Sequence, residues 1–201
     1  MNTTWKALNA LTGGLSAPSK MPSYGWSIPA QECKVGSILR KQPGSTCESC
    51  YALKGRYVFP SVRDALRRRL DAWKADRAGW RDAMVESIRK RGLPYFRWFD
   101  SGDLQGPEML ADIIRIARAL PEVRFWLPTR EYALARRARI LPPNLTLRVS
   151  APKVGSIVPF EVSSTVEGPG SPCPAPKQGN ACGDCRKCWD KSVPMVSYKK
   201  H

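Results

Sequence analysis

The sequence contains one histidine, His201, and no apolar run near the roughly 18 residues that a membrane-spanning helix needs. A single terminal histidine excludes Ser-His-Asp and Cys-His catalysis and histidine-ligated metal sites. The first 30 residues lack a basic segment followed by an apolar one, so we expect no secretory signal and a cytoplasmic protein. Cysteines in that compartment stay reduced and more often bind metal than form disulfides.

Acidic residues are also few, since 17 Asp and Glu stand against 33 Lys and Arg in 201 residues, a net charge of +16. The segment 92–130 is neutral, so the basic excess lies on the segments around it. This excess predicts attraction to polyanions such as nucleic acid, and the alternative is a solvated basic surface with no specific partner. No contact with a membrane is expected, and the sequence does not indicate an oligomeric state.

Strand and helix patterns alternate through the middle of the chain. Apolar spacing predicts a helix from Ser61, with Asp64 completing a capping-box-like pair, and a second helix ending at Gly92. The following elements are predicted as a strand at 95–99, a helix at 107–120, a strand at 123–127, a helix at about 131–140 and a strand at 145–149. This order predicts an α/β fold with a partial TIM-barrel-like parallel βα sheet and cysteine-rich loops at both ends of the chain.

We expect one domain over residues 1–201, which is long enough for a substantial core. It comprises an N-terminal loop region (1–60), a βα core (61–153) and a C-terminal cysteine-rich extension (154–201). The prolines of the extension allow at most one short strand, near 160–162, before a final strand at 193–198.

The seven cysteines form two groups. The early group has the spacing C-x13-C-x2-C and consists of Cys33, Cys47 and Cys50. The late group has the spacing C-x8-C-x2-C-x2-C and consists of Cys173, Cys182, Cys185 and Cys188. Ligation by sulfur alone suits an iron–sulfur cluster or a four-thiolate zinc site. The odd number argues against a disulfide framework.

Three thiolates on a [4Fe–4S] cluster leave one iron open for a substrate or cofactor, whereas four close the cluster. The three-plus-four division therefore predicts two clusters, one open and one closed. The alternative is one cluster with ligands from both groups and the remaining cysteines buried as small apolar residues.

Polar residues follow each of the three central predicted strands. Because the carboxyl ends of parallel strands gather functional groups, we expect catalytic roles for Asp100, Ser101 and Asp103. Cofactor-binding roles are expected for Thr129, Arg130, Ser150 and Lys153. Helix capping and turn formation are the alternative explanation for these residue types.

The first predicted helix carries the run Arg67-Arg68-Arg69, which spreads around the helix axis. Arg63, Arg67 and Lys74 share one face and are predicted to contact nucleic-acid phosphates. Tyr57 is a candidate for stacking on a base.

Several motifs occur in order: Cys47-Glu48-Ser49-Cys50-Tyr51-Ala52, Gly55-Arg56-Tyr57, Asp100-Ser101-Gly102-Asp103 and the ending from Cys182 to Trp189. Over roughly residues 20–190 they resemble the bacteriophage gene product 88 domain family, a group of unsettled function. Phe99 stands where that family often has histidine before the Asp-Ser-Gly-Asp turn.

A weaker resemblance links the chain to radical S-adenosylmethionine enzymes, whose partial barrels carry an open cluster on an early cysteine loop. It implies S-adenosylmethionine as a cofactor, with Ser101-Gly102-Asp103-Leu104 in the place of their Gly-Gly-Glu-Pro turn and a carboxylate binding the ammonium group. The usual CxxxCxxC motif is replaced here by C-x13-C-x2-C.

Three functions follow as hypotheses. The first is an iron–sulfur enzyme, radical S-adenosylmethionine-like or redox, that acts on nucleic acid or nucleotides. The second is a nucleic-acid-binding protein without catalysis, stabilised by zinc or a structural cluster. The third is a redox or cluster-sensing regulator that contacts host proteins.

Overall fold

The computed structural model describes residues 3–138 and 140–200. His201 and Arg139, the latter within the helix predicted at about 131–140, lie outside these residues. The helices are α1 (Trp5–Thr12), α2 (Lys34–Leu39), α3 (Pro60–Ala75), α4 (Arg77–Arg91), α5 (Pro107–Ala119) and α6 (Tyr132–Arg137). The strands are β1 (Tyr24–Trp26), β2 (Tyr95–Trp98), β3 (Arg124–Thr129), β4 (Leu145–Ser150), β5 (Ser163–Val166), β6 (Ser171–Pro172) and β7 (Met195–Tyr198).

The seven strands form one sheet in the order β1-β2-β3-β4-β5-β7-β6, and every neighbouring pair is parallel. The α/β fold with an open, partial-barrel-like parallel sheet is therefore confirmed. The sheet takes β1 from the N-terminal region and β5, β6 and β7 from the C-terminal region. No helix in the described part of the chain is long and apolar enough to cross a membrane.

One face of the sheet packs against α3, α4 and α5 through a core rich in aromatic rings. Trp98 lies at its centre, with ring centroids 5.0 Å from Phe96 and 6.1 Å from both Trp26 and Trp80. These side chains alternate with residues that point to the opposite face, as the two-residue period of a strand requires. The amphipathic faces predicted for the helices thus bury against the sheet.

Three local predictions need refinement. The region 1–60 consists largely of loops and turns, as expected, but it also contains α1, β1 and α2, which were not predicted from the sequence. The helix predicted from Ser61 begins at Pro60, whose fixed φ suits the first helical position, and its N-cap is Phe59 without a side-chain cap, so no capping box forms. The extension has two short strands, β5 and β6, and β5 begins after the stretch 160–162.

The second face of the sheet is covered by the segment 173–194. The Trp189 ring lies between Tyr95 of β2 and Trp126 of β3, with centroid distances of 5.5 and 5.3 Å. Thr146 of β4 donates its hydroxyl to the Trp189 carbonyl at 2.8 Å. The cysteine-rich end of the chain is therefore part of the sheet's packing.

Arg148 of β4 fixes this segment to the sheet. The side chain is fully buried, and its two terminal nitrogens donate to the carbonyls of residues 163, 187, 190, 193 and 194 at 2.8–3.3 Å. Because a guanidinium has five donors in a rigid fork, it can bind several carbonyls of one loop at once.

Candidate metal centres and their surroundings

The three early cysteines, here called the three-cysteine site, meet at the carboxyl ends of the strands. Cys33 follows β1 and immediately precedes α2. Cys50 and Cys47 both lie close enough to Cys33 to raise the pKa of its thiol. The fold thereby brings Cys33 close to Cys47 and Cys50, which lie 14 and 17 positions later in the chain, as their grouping predicts.

Hydrogen bonds hold the Cys47 loop against the end of β4. The Thr46 amide donates to the Pro152 carbonyl at 2.8 Å, and the Thr46 hydroxyl donates to the Ala151 carbonyl at 3.1 Å. Arg130, at the end of β3, donates its Nε to the same hydroxyl at 3.2 Å. The loop therefore connects the ends of β3 and β4 beside the thiols.

Asp103 is a buried carboxylate at this edge, and it is 6% exposed. It accepts hydrogen bonds from the Thr129 hydroxyl at 2.6 Å and from the amides of Arg130 and Leu104, each at 2.8 Å. Burial raises its pKa to about 6, although these three hydrogen bonds act in the opposite direction. Asp103 and Arg130 also act oppositely on Cys33, since Asp103 raises the pKa of the thiol and Arg130 lowers it.

Asp100 and Ser101 lie in the same turn. Asp100 is joined to Ser27, which follows β1, by a side-chain hydrogen bond and by its own amide at 3.0 Å. Ser101 is 3% exposed, and its hydroxyl has no hydrogen-bond partner among the described residues. An unsatisfied buried hydroxyl costs free energy, so Ser101 is a polar group without a structural partner in this turn.

The other predicted binding residues have separate partners. The Ser150 hydroxyl pairs with the Ser164 hydroxyl at 3.2 Å, and the Ser150 carbonyl accepts from the Tyr132 hydroxyl at 3.1 Å. Lys153 is exposed, and its backbone forms an isolated bridge with Ser45 of the cysteine loop. Thr129 and Arg130 thus stand beside Asp103, while Lys153 contributes its backbone to this edge.

Four late cysteines form a second group, the four-cysteine site, on the covered face of the sheet. Cys173 is close enough to both Cys182 and Cys188 to raise the pKa of each thiol. Cys185 likewise raises the pKa of Cys182. Backbone bonds from Cys173 to the Ser197 carbonyl at 2.8 Å and from Cys182 to the Lys20 carbonyl at 3.0 Å position the segment.

All seven cysteines are free thiols. Burial is the largest cause of the raised pKa values of Cys33, about 12, and of Cys188, about 11. A nucleophilic cysteine needs a lowered pKa, so neither environment is typical of an activated nucleophile. Metal coordination instead deprotonates a thiol outright.

The Gly36 backbone lies close to two of the early sulfurs. A Cβ atom placed there would lie 3.0 Å from Cys33 Cβ, 3.6 Å from Cys33 Sγ and 3.8 Å from Cys47 Sγ, so both thiols lie around this glycine. Within residues 3–138 and 140–200, no three or more His, Cys, Asp or Glu side chains form a group that could hold a metal ion. The thiolates of a cluster bind different irons and need not close on one point. The all-sulfur donor set and the proximity of Cys33 and Cys47 at Gly36 fit such a group.

The residues predicted to contact nucleic acid are only partly brought together. Arg63 and Arg67 line a cavity of about 260 Å³ with Tyr57, Gln31 and the acidic Asp64, whereas Lys74 does not line it. Arg67 also forms an ion pair of 2.8 Å with Glu32, next to Cys33 in the sequence. The cavity therefore lies near the three-cysteine site.

Sequence reasoning missed three residues around the cysteines. Tyr51 donates its hydroxyl to the Asp100 carbonyl, and Tyr198 contacts Cys188 through its hydroxyl, 3.2 Å from Sγ. Arg97 of β2 lies near Tyr51, Asp100, Cys188 and Tyr198. The signal for Arg97 is its position between the buried Phe96 and Trp98, because the strand period sends it to the opposite face.

This architecture defines an α/β protein with an open parallel sheet, one cysteine group at the carboxyl edge and another across one face. Residues 2–157 match the family model described as gene product 88, and the chain belongs to that family, the phage family that its motifs resemble. No curated protein and no solved structure gives a significant match to the chain.

Proposed function

We propose that this protein is a phage-encoded iron–sulfur enzyme of the host cytoplasm that acts on nucleic acid or nucleotides by radical S-adenosylmethionine-like or redox chemistry. The observation that carries the proposal is that the sulfurs of Cys33 and Cys47 both lie beside Gly36, with Cys50, Asp103 and Arg130 close enough to affect the pKa of the Cys33 thiol. Three cysteine ligands leave one iron of a [4Fe–4S] cluster open, and such a cluster supplies one-electron chemistry to a ligand bound there.

The chain's own groups at this edge suit a zwitterionic ligand. Asp103 provides a carboxylate for an ammonium group, and Arg130 provides a guanidinium for a carboxylate or phosphate, both charge-assisted contacts. The Ser101 hydroxyl offers a further hydrogen bond. Burial of Asp103 excludes water from the carboxylate, which strengthens its attraction for a cation.

Electron paramagnetic resonance of the anaerobically purified, dithionite-reduced protein tests this proposal. We expect S-adenosylmethionine to change the signal of the wild type and of the exposed control Arg118→Gln, but not of Cys47→Ser. An unchanged wild-type signal would reject S-adenosylmethionine as the ligand. A protein without iron would reject the cluster.

A second candidate function is a metal-stabilised nucleic-acid-binding protein without catalysis, with four-thiolate zinc or a structural cluster. The cavity lined by Arg63 and Arg67 favours contact with nucleic acid. The contacts of the segment 173–194 with the sheet favour a structural metal at the four-cysteine site. Neither observation requires chemistry at the three-cysteine site.

The nucleic-acid contact is tested by fluorescence anisotropy with a single-stranded oligonucleotide between about 50 and 200 mM salt. Log K, where K is the association constant, falls with log salt, and each phosphate contact that is lost reduces the magnitude of this negative slope by roughly one. We therefore expect Arg63→Gln/Arg67→Gln to reduce the slope by about two and Arg118→Gln to leave it within about half a unit. Equal slopes for the double variant and the wild type would reject the arginine-lined cavity as the phosphate site.

A further inference from the structure

Arg97 occupies an unusual position between the two cysteine sites. Its guanidinium carbon lies 4.4 Å from the centroid of the Trp126 ring, and its Nη1 is 3.1 Å from Met21 Sδ. Its Nε is buried without a hydrogen-bond partner among the described residues. Within the same residues, no carboxylate forms an ion pair with Arg97.

Arg148 on the same face shows what a structural arginine looks like in this fold. It also lacks a carboxylate ion pair among the described residues, and its Nε is likewise buried without a partner there, but its terminal nitrogens bind five backbone carbonyls. Arg97 has fewer acceptors, because its Nη1 donates to a thioether, which accepts hydrogen bonds weakly, and its guanidinium also forms a hydrogen bond with the Tyr51 hydroxyl. Anchoring of the chain therefore explains Arg148 and does not explain Arg97.

The groups that face Arg97 belong to both cysteine sites. On one side it contacts Met21, whose neighbour Lys20 accepts a hydrogen bond from the Cys182 amide at 3.0 Å. It also covers the Trp126 ring, which packs 5.3 Å from the ring of Trp189, the residue after Cys188. On the other side it lies near Tyr51, which follows Cys50 in the chain, and near Asp100. The Arg97 side chain is half-buried, so further negative charge nearby would offset the cost of its partial desolvation.

Four thiolates around a cluster would supply that negative charge, and reduction adds one more. A nearby cation therefore stabilises the reduced state more than the oxidised state, with less screening by water than at the exposed surface. Exposed arginines elsewhere on the chain have no such effect, since solvent and salt screen them.

We propose that Arg97 is a positioning residue that raises the reduction potential of a cluster bound at the four-cysteine site. The inference rests on the proposed iron–sulfur function. Reduction adds one electron from a low-potential donor, dithionite in the assay, and no bond forms or breaks.

The test is a redox titration of the four-cysteine cluster by electron paramagnetic resonance, in full-length protein whose three early cysteines are replaced by serine. At a fixed potential, we expect Arg97→Gln to lower the ratio of reduced to oxidised cluster at least tenfold, which is 59 mV for one electron. Arg97→Lys keeps the charge and should stay within threefold of the parent.

Arg91 is a matched control, because its guanidinium carbon lies 4.1 Å from the centroid of the Trp5 ring and it is exposed. Arg91→Gln removes the same charge and the same type of aromatic contact, and it should leave the ratio within twofold. Met21→Glu gives an independent test, because it introduces a carboxylate beside Arg97, and Met21→Gln is its neutral control. We expect the glutamate to lower the ratio at least threefold relative to the glutamine.

Iron content separates failure of this inference from failure of the proposed function. Absence of iron and sulfide in the parent would remove both. Normal iron with a ratio for Arg97→Gln within twofold of the parent would overturn only the role of Arg97. If the Arg97→Gln protein does not hold iron, the Met21 variants decide. Equal ratios of reduced to oxidised cluster for Met21→Glu and Met21→Gln would overturn the role of Arg97.

Discussion

Replacement of Arg148 by glutamine should weaken the attachment of the segment 173–194, which carries the four late cysteines, to the sheet. The side chain is fully buried, and its five carbonyl acceptors lie between residues 163 and 194. A glutamine amide is shorter and has two donors, so at least three of these carbonyls would lose their partner. The contacts of Trp189 with the sheet depend on the same segment.

The magnitude follows from the number and kind of these hydrogen bonds. A hydrogen bond from a charged donor contributes about 1.5–3 kcal/mol, and the desolvation of the guanidinium offsets part of the sum. We therefore expect Arg148→Gln to lower the free energy of unfolding by about 3–5 kcal/mol, a large fraction of the about 5–15 kcal/mol typical of a domain. Arg148→Lys keeps the charge and three donors, so its loss should be smaller.

Urea unfolding followed by tryptophan fluorescence measures the loss, and limited trypsin digestion shows where the chain opens. Arg148→Gln should be cut faster after Lys187 and Lys191, and its metal content should fall at the four-cysteine site first. Arg118→Gln, an exposed change on α5, should stay within about 0.5 kcal/mol of the wild type. An Arg148→Gln protein within about 1 kcal/mol of the wild type, with unchanged digestion, would refute this reasoning.

Two further changes test the helical side of the sheet and the turn after β2. Asp112 is fully buried and binds Arg77 and Arg81 at 2.9 and 3.0 Å. Asp112→Asn should lower the free energy of unfolding in urea by about 2–3 kcal/mol, because it removes the charge of a buried ion pair. The loss is not larger because both arginines are partly exposed and solvent screens their charges. Burial tends to raise the pKa of Asp112, but the arginine hydrogen bonds lower it overall, so its stabilisation is present above the ordinary value of 3.8 and is lost as pH falls below it. An acid-unfolding curve of Asp112→Asn with the wild-type slope would contradict this assignment. Gly102→Ala should lower thermal stability by about 2–4 kcal/mol, because φ is +80° and the new Cβ would lie 2.7 Å from the Ile28 carbonyl oxygen. Gly92→Ala, with φ of +65° and open space around it, should cost about 1–2 kcal/mol, and equal losses for the two glycines would refute the steric argument.

The sequence predicted β2, β3 and β4 because each is a short apolar run between turn residues, and such runs need no long-range information. It did not predict β1, whose three residues lie among prolines and pair with β2 only in the folded chain. Helix α1 was not predicted, although the sequence contains signals for both of its ends. Thr4 caps its N-terminus, and Gly13 takes a left-handed conformation after its last residue.

The candidate site likewise has one part that the sequence predicted and one part that it did not. The clustering of Asp103, Thr129 and Arg130 follows from a general property of parallel sheets, that strand ends meet at one edge. The cover of the second face by residues 173–194 depends on contacts of Arg148 and Trp189 across more than 30 residues, which no local pattern encodes. The role of Arg97 depends on the same long-range packing.

Anaerobic iron and sulfide analysis tests the central proposal most directly. It compares the wild type with two variants, one with serine at the three-cysteine site and one with serine at the four-cysteine site. Two [4Fe–4S] clusters predict about eight iron and eight sulfide atoms per wild-type chain and about four of each in either variant. A colourless protein with stoichiometric zinc and no iron or sulfide would contradict the proposal. About four iron atoms in the wild type and none in either variant would contradict the division into two sites.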